Sequence, residues 1–193
     1  MHVSVSDSRE RFFEAGQEIL ATEGYGTLKL AAVCQSLEVT TGAFYHSFAS
    51  WSEFTSELLD NWRRERTTLI AELARSADDP VKQLESLLAA TLELRHGAEA
   101  AIRTWAAVDP EVAKVQQQVD AERYEVVLDA MERLVGKKDA RRWANWGLNV
   151  LVGFEVSTNG QEIADLEWEL IQVLQAAVAV SEARKANRRR RRA

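Results

Sequence analysis

Helix breakers are scarce in this chain: its 193 residues include only two prolines, Pro80 and Pro110, and nine glycines. No region shows the period-2 alternation of a half-buried strand, whereas apolar residues recur three and four apart along most of the length. The pattern predicts an all-α protein of about nine helices, since proline removes a backbone donor and would mark their boundaries.

The expected first helix runs from about Asp7, a cap, to Glu23, with Phe12, Ala15, Gly16, Ile19 and Leu20 on one face and Gly24 as its stop. Two short helical patterns follow within GYGTLKLAAVCQSLEVTTGAFYHSF, and Ser50 then caps a longer helix carrying Phe54, Leu58, Trp62, Leu69 and Leu73 to Asp78, Asp79 and Pro80. Val81, Leu84, Leu88 and Leu92 mark the next, Gly97 to Ala107 another, and Asp109–Pro110 opens a long one ending at Gly136. The last two span about 139–157 and 161–187, parted by Thr158, Asn159 and Gly160. The run WGLNVLVGF, Trp146 to Phe154, is apolar almost all round and needs cover on several sides. Asn149 inside it calls for a hydrogen-bond partner.

The composition, 46% hydrophobic and 28% charged, is that of a globular protein. No run reaches the roughly 18 apolar residues of a membrane span, and the opening MHVSVSDSRERF lacks the apolar core of a secretion signal, so a cytoplasmic location without a membrane partner is expected. The lone Cys34 cannot form an internal disulfide or a thiolate zinc cluster and reads as a small buried apolar residue. Phosphate loops, nucleophile elbows, HExxH and paired His/Cys ligands are absent from the sequence. The chain is therefore expected not to be an enzyme and to carry neither metal nor cofactor.

Charge is unevenly spread. The net value is −6, yet seven basic and no acidic residues lie between Arg184 and Arg192. A run of this kind is usually a solvated, disordered end; the sharper reading is a non-specific contact to DNA or RNA.

Between Leu28 and His46 the pattern fits a helix-turn-helix, whose second helix needs small or hydrogen-bonding residues at its start to meet base edges. Thr40, Thr41, Gly42 and Ala43 satisfy this, in a recognition helix at about 40–46. Val39, Phe44 and Phe48 would face inward against Leu30, Val33 and Leu37, leaving Thr40, Thr41, Tyr45 and His46 outside.

The order GYGTLKL…VC..L.VTTGAFYHSF, over about residues 7–58, resembles the TetR (TetR/AcrR-like) family of bacterial repressors. The resemblance implies that Thr40, Thr41 and Gly42 approach bases, that Tyr45 and His46 meet phosphate or base, and that Ser50 and Trp51 open a helix whose amides meet phosphate. Three positions depart from the family habit: Lys29 stands where Ser or Thr is common, Glu38 where Gly is, and Trp51 where Lys is. The missing lysine removes one phosphate contact that Lys29 can replace, and Glu38 falls where positive φ favours glycine, at a cost of about 1 kcal/mol. RTWAAVDPEV followed by VDAERYEVVLDAM is similar to a regulatory domain of TetR relatives.

That resemblance implies three segments: a DNA-binding domain at 1–52, a helical regulatory and dimerisation domain at 53–183, and the basic tail at 184–193. It further implies a ligand-responsive repressor, homodimeric on palindromic double-stranded operator DNA and released by a small apolar or aromatic effector of unknown identity. The pocket candidates are Trp62, Arg103, Trp105, Tyr124, Leu128, Trp146, Asn149 and Phe154. A twofold interface on the last two helices would use Trp143, Gly147, Val150, Phe154, Leu170 and Leu174. The competing reading is a helical protein-interaction module that has lost DNA binding.

Overall fold

A computed structural model describes residues 5–75, 77–157 and 160–191, with backbone alone at 5–7, 73, 75 and 188. The side chains of Asp7 and Leu73, and the residues Thr158, Asn159 and Arg192, for which the sequence raised expectations, thus lie outside the described residues.

Nine helices occur among the described residues, as the periodicity predicts. They are α1 (Val5–Glu23), α2 (Leu30–Ser36), α3 (Thr41–Ser47), α4, α5 (Pro80–Leu92), α6 (His96–Ala106), α7 (Pro110–Val135), α8 (Lys137–Val156) and α9 (Ile163–Arg190). Helix α4 is continuous but not uniform: Trp51–Arg63 is α-helical, Arg64–Thr68 widens into a π turn, and Leu69–Arg75 is α-helical again.

The helix boundaries follow local chemistry. Gly24 stops α1 at φ 80°, its N–H reaching the Ile19 carbonyl at 3.1 Å, and Tyr25–Thr27 forms a short 3-10 turn. Asp79 Oδ1 accepts from Val81 N at 2.8 Å to start α5, and Asp109 Oδ1 accepts from Glu111 N at 3.0 Å to start α7, each ahead of a proline in the first turn. The arginine run departs from its usual expectation of a disordered end. It prolongs α9 to Arg190, because arginine is a strong helix former and cations suit the negative end of the helix dipole.

Contacts group the chain into two compact units, Met1–Arg66 with Arg95–Val119, and Thr67–Leu94 with Asp120–Ala193. This is a division by packing; the segments 1–52, 53–183 and 184–193 are a division expected from the resemblance, by role.

In the first unit Phe12, Phe44, Phe48 and Phe54 form an aromatic core. Phe12 meets Phe44 edge-on at 5.4 Å, and Phe54 meets Phe44 at 5.5 Å. Each buried ring contributes about 1.5–3 kcal/mol by leaving water. Helix α6 packs against α1, and Tyr25 stacks on Trp105 with centroids 4.9 Å apart. Arg9 ties α1 to α4. Its guanidinium donates to Glu53 Oε1 at 2.7 Å and Glu57 Oε2 at 2.5 Å, its Nε donates to the Ser47 carbonyl at 2.9 Å, and its carbon lies 4.7 Å from the Phe48 ring centre.

In the second unit Leu84, Met131, Leu134, Val135, Ala140 and Ala177 form one core cluster. Ala71, Ala74 and Val126 form another. The π turn carries two polar ties within this unit: Arg123 Nε donates to Thr67 Oγ1 at 3.2 Å and Thr68 Oγ1 donates to Glu122 Oε2 at 3.0 Å. No helix among the described residues is long and apolar enough to cross a membrane.

Candidate nucleic-acid interface and apolar cavity

Helix α2, the turn at Leu37–Thr40 and helix α3 form the short helix pair expected of a helix-turn-helix. Thr40 is the N-cap of α3, its Oγ1 accepting from Ala43 N at 3.2 Å. Its hydroxyl is therefore engaged in capping, which fixes the angle at which α3 begins. Phe44 and Phe48 are buried to 0% and 1% exposure, while Thr41, Gly42, Tyr45 and His46 face outward. Tyr45 is 54% exposed, its side chain open to solvent.

Gly42 has ordinary helical backbone, and a Cβ placed on it would meet only Thr40 Oγ1 at 3.5 Å. Folding therefore does not require a glycine there. Lys29, the exposed N-cap residue of α2, makes no side-chain cap bond. Ser50 Oγ caps α4 through Glu53 N at 3.0 Å, and Glu53 Oε2 reaches back to Ala49 N at 2.7 Å. Trp51 is half-buried against Phe44 and Phe54, at 6.0 and 4.9 Å between ring centres, so its indole serves the core where the family lysine would reach phosphate.

The turn residue Glu38 adopts φ 55°, the left-handed conformation expected at the family's glycine position. Local electrostatics are set mainly by Arg9. Hydrogen bonds from the Ala49 amide and from Arg9 hold the Glu53 carboxyl below its ordinary range, and Arg9 is correspondingly raised by Glu53 and Glu57. Arg9 is thereby committed within the fold. Burial pushes the Cys34 thiol up, in keeping with an apolar role.

The eight pocket candidates are divided between the two units, three in the first and five in the second. Trp62 and Trp105 are buried in the first unit, where Trp62 Nε1 donates to the buried Glu99 Oε1 at 2.7 Å, and Arg103 is half-buried nearby on α6. Tyr124, Leu128 and Phe154 are half-buried in the second unit. Trp146 is 48% exposed there. Asn149 is exposed, so its amide is open to solvent, to the same residue across a twofold axis or to a ligand.

The second unit instead holds an aliphatic cavity of about 80 Å³. Leu84, Leu87, Leu88, Thr91, Val127 and Met131 line it with Gly147, Leu148, Leu151, Leu170, Val173 and Leu174. Three residues expected at a dimer interface, Gly147, Leu170 and Leu174, thus face this cavity. The remaining three, Trp143, Val150 and Phe154, are half-buried. Large apolar side chains are exposed at Trp146, Val156, Ile163 and Trp168, the last 64% exposed. Trp168 escaped sequence reasoning, because it stands off the main apolar stripe of α9; a lone tryptophan on a charged face was the available signal.

No family model matches the sequence, and no curated protein matches it either. Solved structures do match. A TetR-family transcriptional regulator from Agrobacterium tumefaciens superposes with a TM-score of 0.75 at 18% identity, covering 90% of this chain and 98% of that one. A TetR-family regulator from Streptomyces coelicolor gives 0.74 at 14% identity, covering 91% and 97%. A Saccharomonospora viridis protein in complex with choline gives 0.74 at 14% identity, covering 88% and 96%. The chain has the all-helical fold of TetR/AcrR-family transcriptional regulators.

Proposed function

We propose that this chain is a DNA-binding transcriptional regulator of the TetR type, a homodimeric repressor that grips a palindromic operator through α3 and releases it on binding a small apolar effector. The observation that carries this reading is the division of α3. Phe44 and Phe48 anchor it in an aromatic core, while Thr41, Gly42, Tyr45 and His46 stand exposed on the opposite side. Short side chains at its start allow close approach to base edges, and Tyr45 offers a hydroxyl to phosphate.

Two heads are needed for useful affinity, since one such helix covers little DNA and half-sites lie about a helical turn apart. Exposed Trp146 on α8 and Trp168 on α9 supply apolar area for a twofold interface. The aliphatic cavity supports an uncharged effector. Its lining offers neither an aromatic face nor a carboxylate, so a quaternary ammonium such as choline does not suit it.

A gel shift with the intergenic DNA upstream of the protein's own gene tests the reading. A discrete complex that resists competitor DNA supports it. No shift at low salt overturns it in favour of an interaction module that has lost DNA binding.

A further inference from the structure

Helix α8 opens with Lys137, Lys138, Arg141 and Arg142, all exposed. Helix α9 closes with Lys185, Arg189 and Arg190 and is capped by Arg191, all exposed, preceded by the half-buried Arg184. The two helix ends are neighbours. The Arg184 guanidinium is hydrogen-bonded to the Asp139 carboxylate, and a groove of about 590 Å³ runs between the ends. Lys137, Lys138, Arg184, Lys185 and Arg191 line this groove, and Asp139 is the single carboxylate among its lining residues. Outside the lining, Lys137 approaches Glu132 loosely, at 3.9 Å.

Concentrating this much like charge costs repulsion, and it stands in a chain whose net charge is −6. An extended anion would relieve it. From Arg184 to Arg191 the helix advances about 10 Å, enough to face several phosphates of a duplex and too long for one. The lining contains no aromatic ring on which unpaired bases could stack. Neither helix end, at 137–142 or 181–191, carries a large apolar side chain to insert into a lipid surface.

We propose that this groove is a second, sequence-independent contact for the phosphate backbone of duplex DNA. Duplex DNA is favoured as occupant partly by the operator-binding reading, on which the choice of DNA over RNA rests. Binding here depends on charge alone, with Arg184 held in place by Asp139 and the lysines free to follow the backbone.

The test measures anisotropy of a short DNA duplex of random sequence titrated with the full chain across roughly 50 to 200 mM KCl. The variant carries Lys137→Gln, Lys138→Gln, Lys185→Gln and Arg191→Gln together, and thermal melting checks that it folds as the parent does. The slope of log affinity against log salt should become shallower by about 3 to 4, close to 0.9 for each phosphate that is no longer neutralised. Tyr45→Ala, altered on α3 instead, should change the slope by no more than about 1. Equal slopes for the parent and the fourfold variant would overturn the proposal. So would charge-dependent binding confined to duplex RNA or to phosphatidylglycerol vesicles. A shallower slope in a chain that shows no operator preference would support this groove while refuting the operator reading, so the two fail separately.

Discussion

Gly97 and Ala21 are packed so closely that a Cβ built on Gly97 would lie 2.3 Å from the Ala21 carbonyl oxygen. Real contacts do not reach that distance, and the obstacle is backbone, so α6 and α1 would have to part. Gly97→Ala should therefore destabilise the first unit by more than about 2 kcal/mol, well beyond the usual surface change, despite alanine's better helix propensity. Urea unfolding of the two proteins measures this; an unchanged midpoint would mean the helices are not held at this separation.

Glu38 makes the opposite case. Its φ of 55° puts a side chain where glycine is at ease, and the residue is exposed, so its removal would cost little packing. Glu38→Gly should raise stability by up to about 1 kcal/mol, the strain relieved being partly offset by the greater entropy of an unfolded glycine. It also removes a negative charge from the turn before α3, so affinity for any duplex should rise. Calorimetric melting and a salt titration check the two effects separately.

These positions differ in how far the sequence could reveal them. Glu38 was readable through the resemblance, since it stands where the family commonly has glycine. The inward set Val39, Phe44, Phe48 and the outward set Thr41, Tyr45, His46 were readable from the residues themselves: period alone assigns a face. Gly97 and Arg9 were not, since their importance lies in what another helix brings opposite them. In the apolar run Trp146–Phe154 both Trp146 and Asn149 are exposed, because periodicity reports that a surface wants cover and is silent on whether the same chain or another supplies it. The cavity was missed through a preference for aromatic linings, when the residues that converge are leucine, valine and methionine.

Glu53 predicts a pH dependence. Its carboxyl is held below the ordinary range first by the Ala49 amide and then by Arg9, so the folded state binds this proton less readily than the unfolded chain. The stability it lends is fully present above the unfolded carboxylate value of about 4.3 and is lost as pH falls through the lower folded value. Glu53→Gln should flatten the acid limb of a plot of Tm against pH. Parallel acid limbs for the two proteins would show that the Ala49 and Arg9 contacts do not discriminate between protonation states.

Substitutions on α3 should separate anchoring from reading. Tyr45 is exposed and suited to phosphate, so Tyr45→Ala should weaken binding to all duplexes alike. Thr41→Ala and Gly42→Ser lie at the helix start and should shift preference among operator variants, by about 1–3 kcal/mol for a base whose contact changes. Gly42→Ser is sterically tolerated within the chain, with only the 3.5 Å approach to Thr40 Oγ1, so its effect reports on the DNA side. Competition binding with single-base operator variants reads both patterns; three unchanged profiles would move the reading face off α3.

Gly147 offers a way to close the aliphatic cavity without disturbing its walls. It sits mid-helix on α8, and a Cβ there would meet only Val173 Cγ1, at 4.0 Å. Gly147→Ala should stabilise the protein by about 0.5–1 kcal/mol through helix propensity alone. Gly147→Val should reach further into the lined space and remove the room an effector needs. If the cavity is where the effector binds, small uncharged hydrocarbons and alcohols should raise the parent's Tm in a dose-dependent way, since ligand binding to the native state stabilises by mass action. The same compounds should leave Gly147→Val unmoved while that variant still binds operator. A shift of equal size in both proteins would assign the ligand to another part of the fold, and loss of operator binding in the valine variant would point to a disturbed second unit.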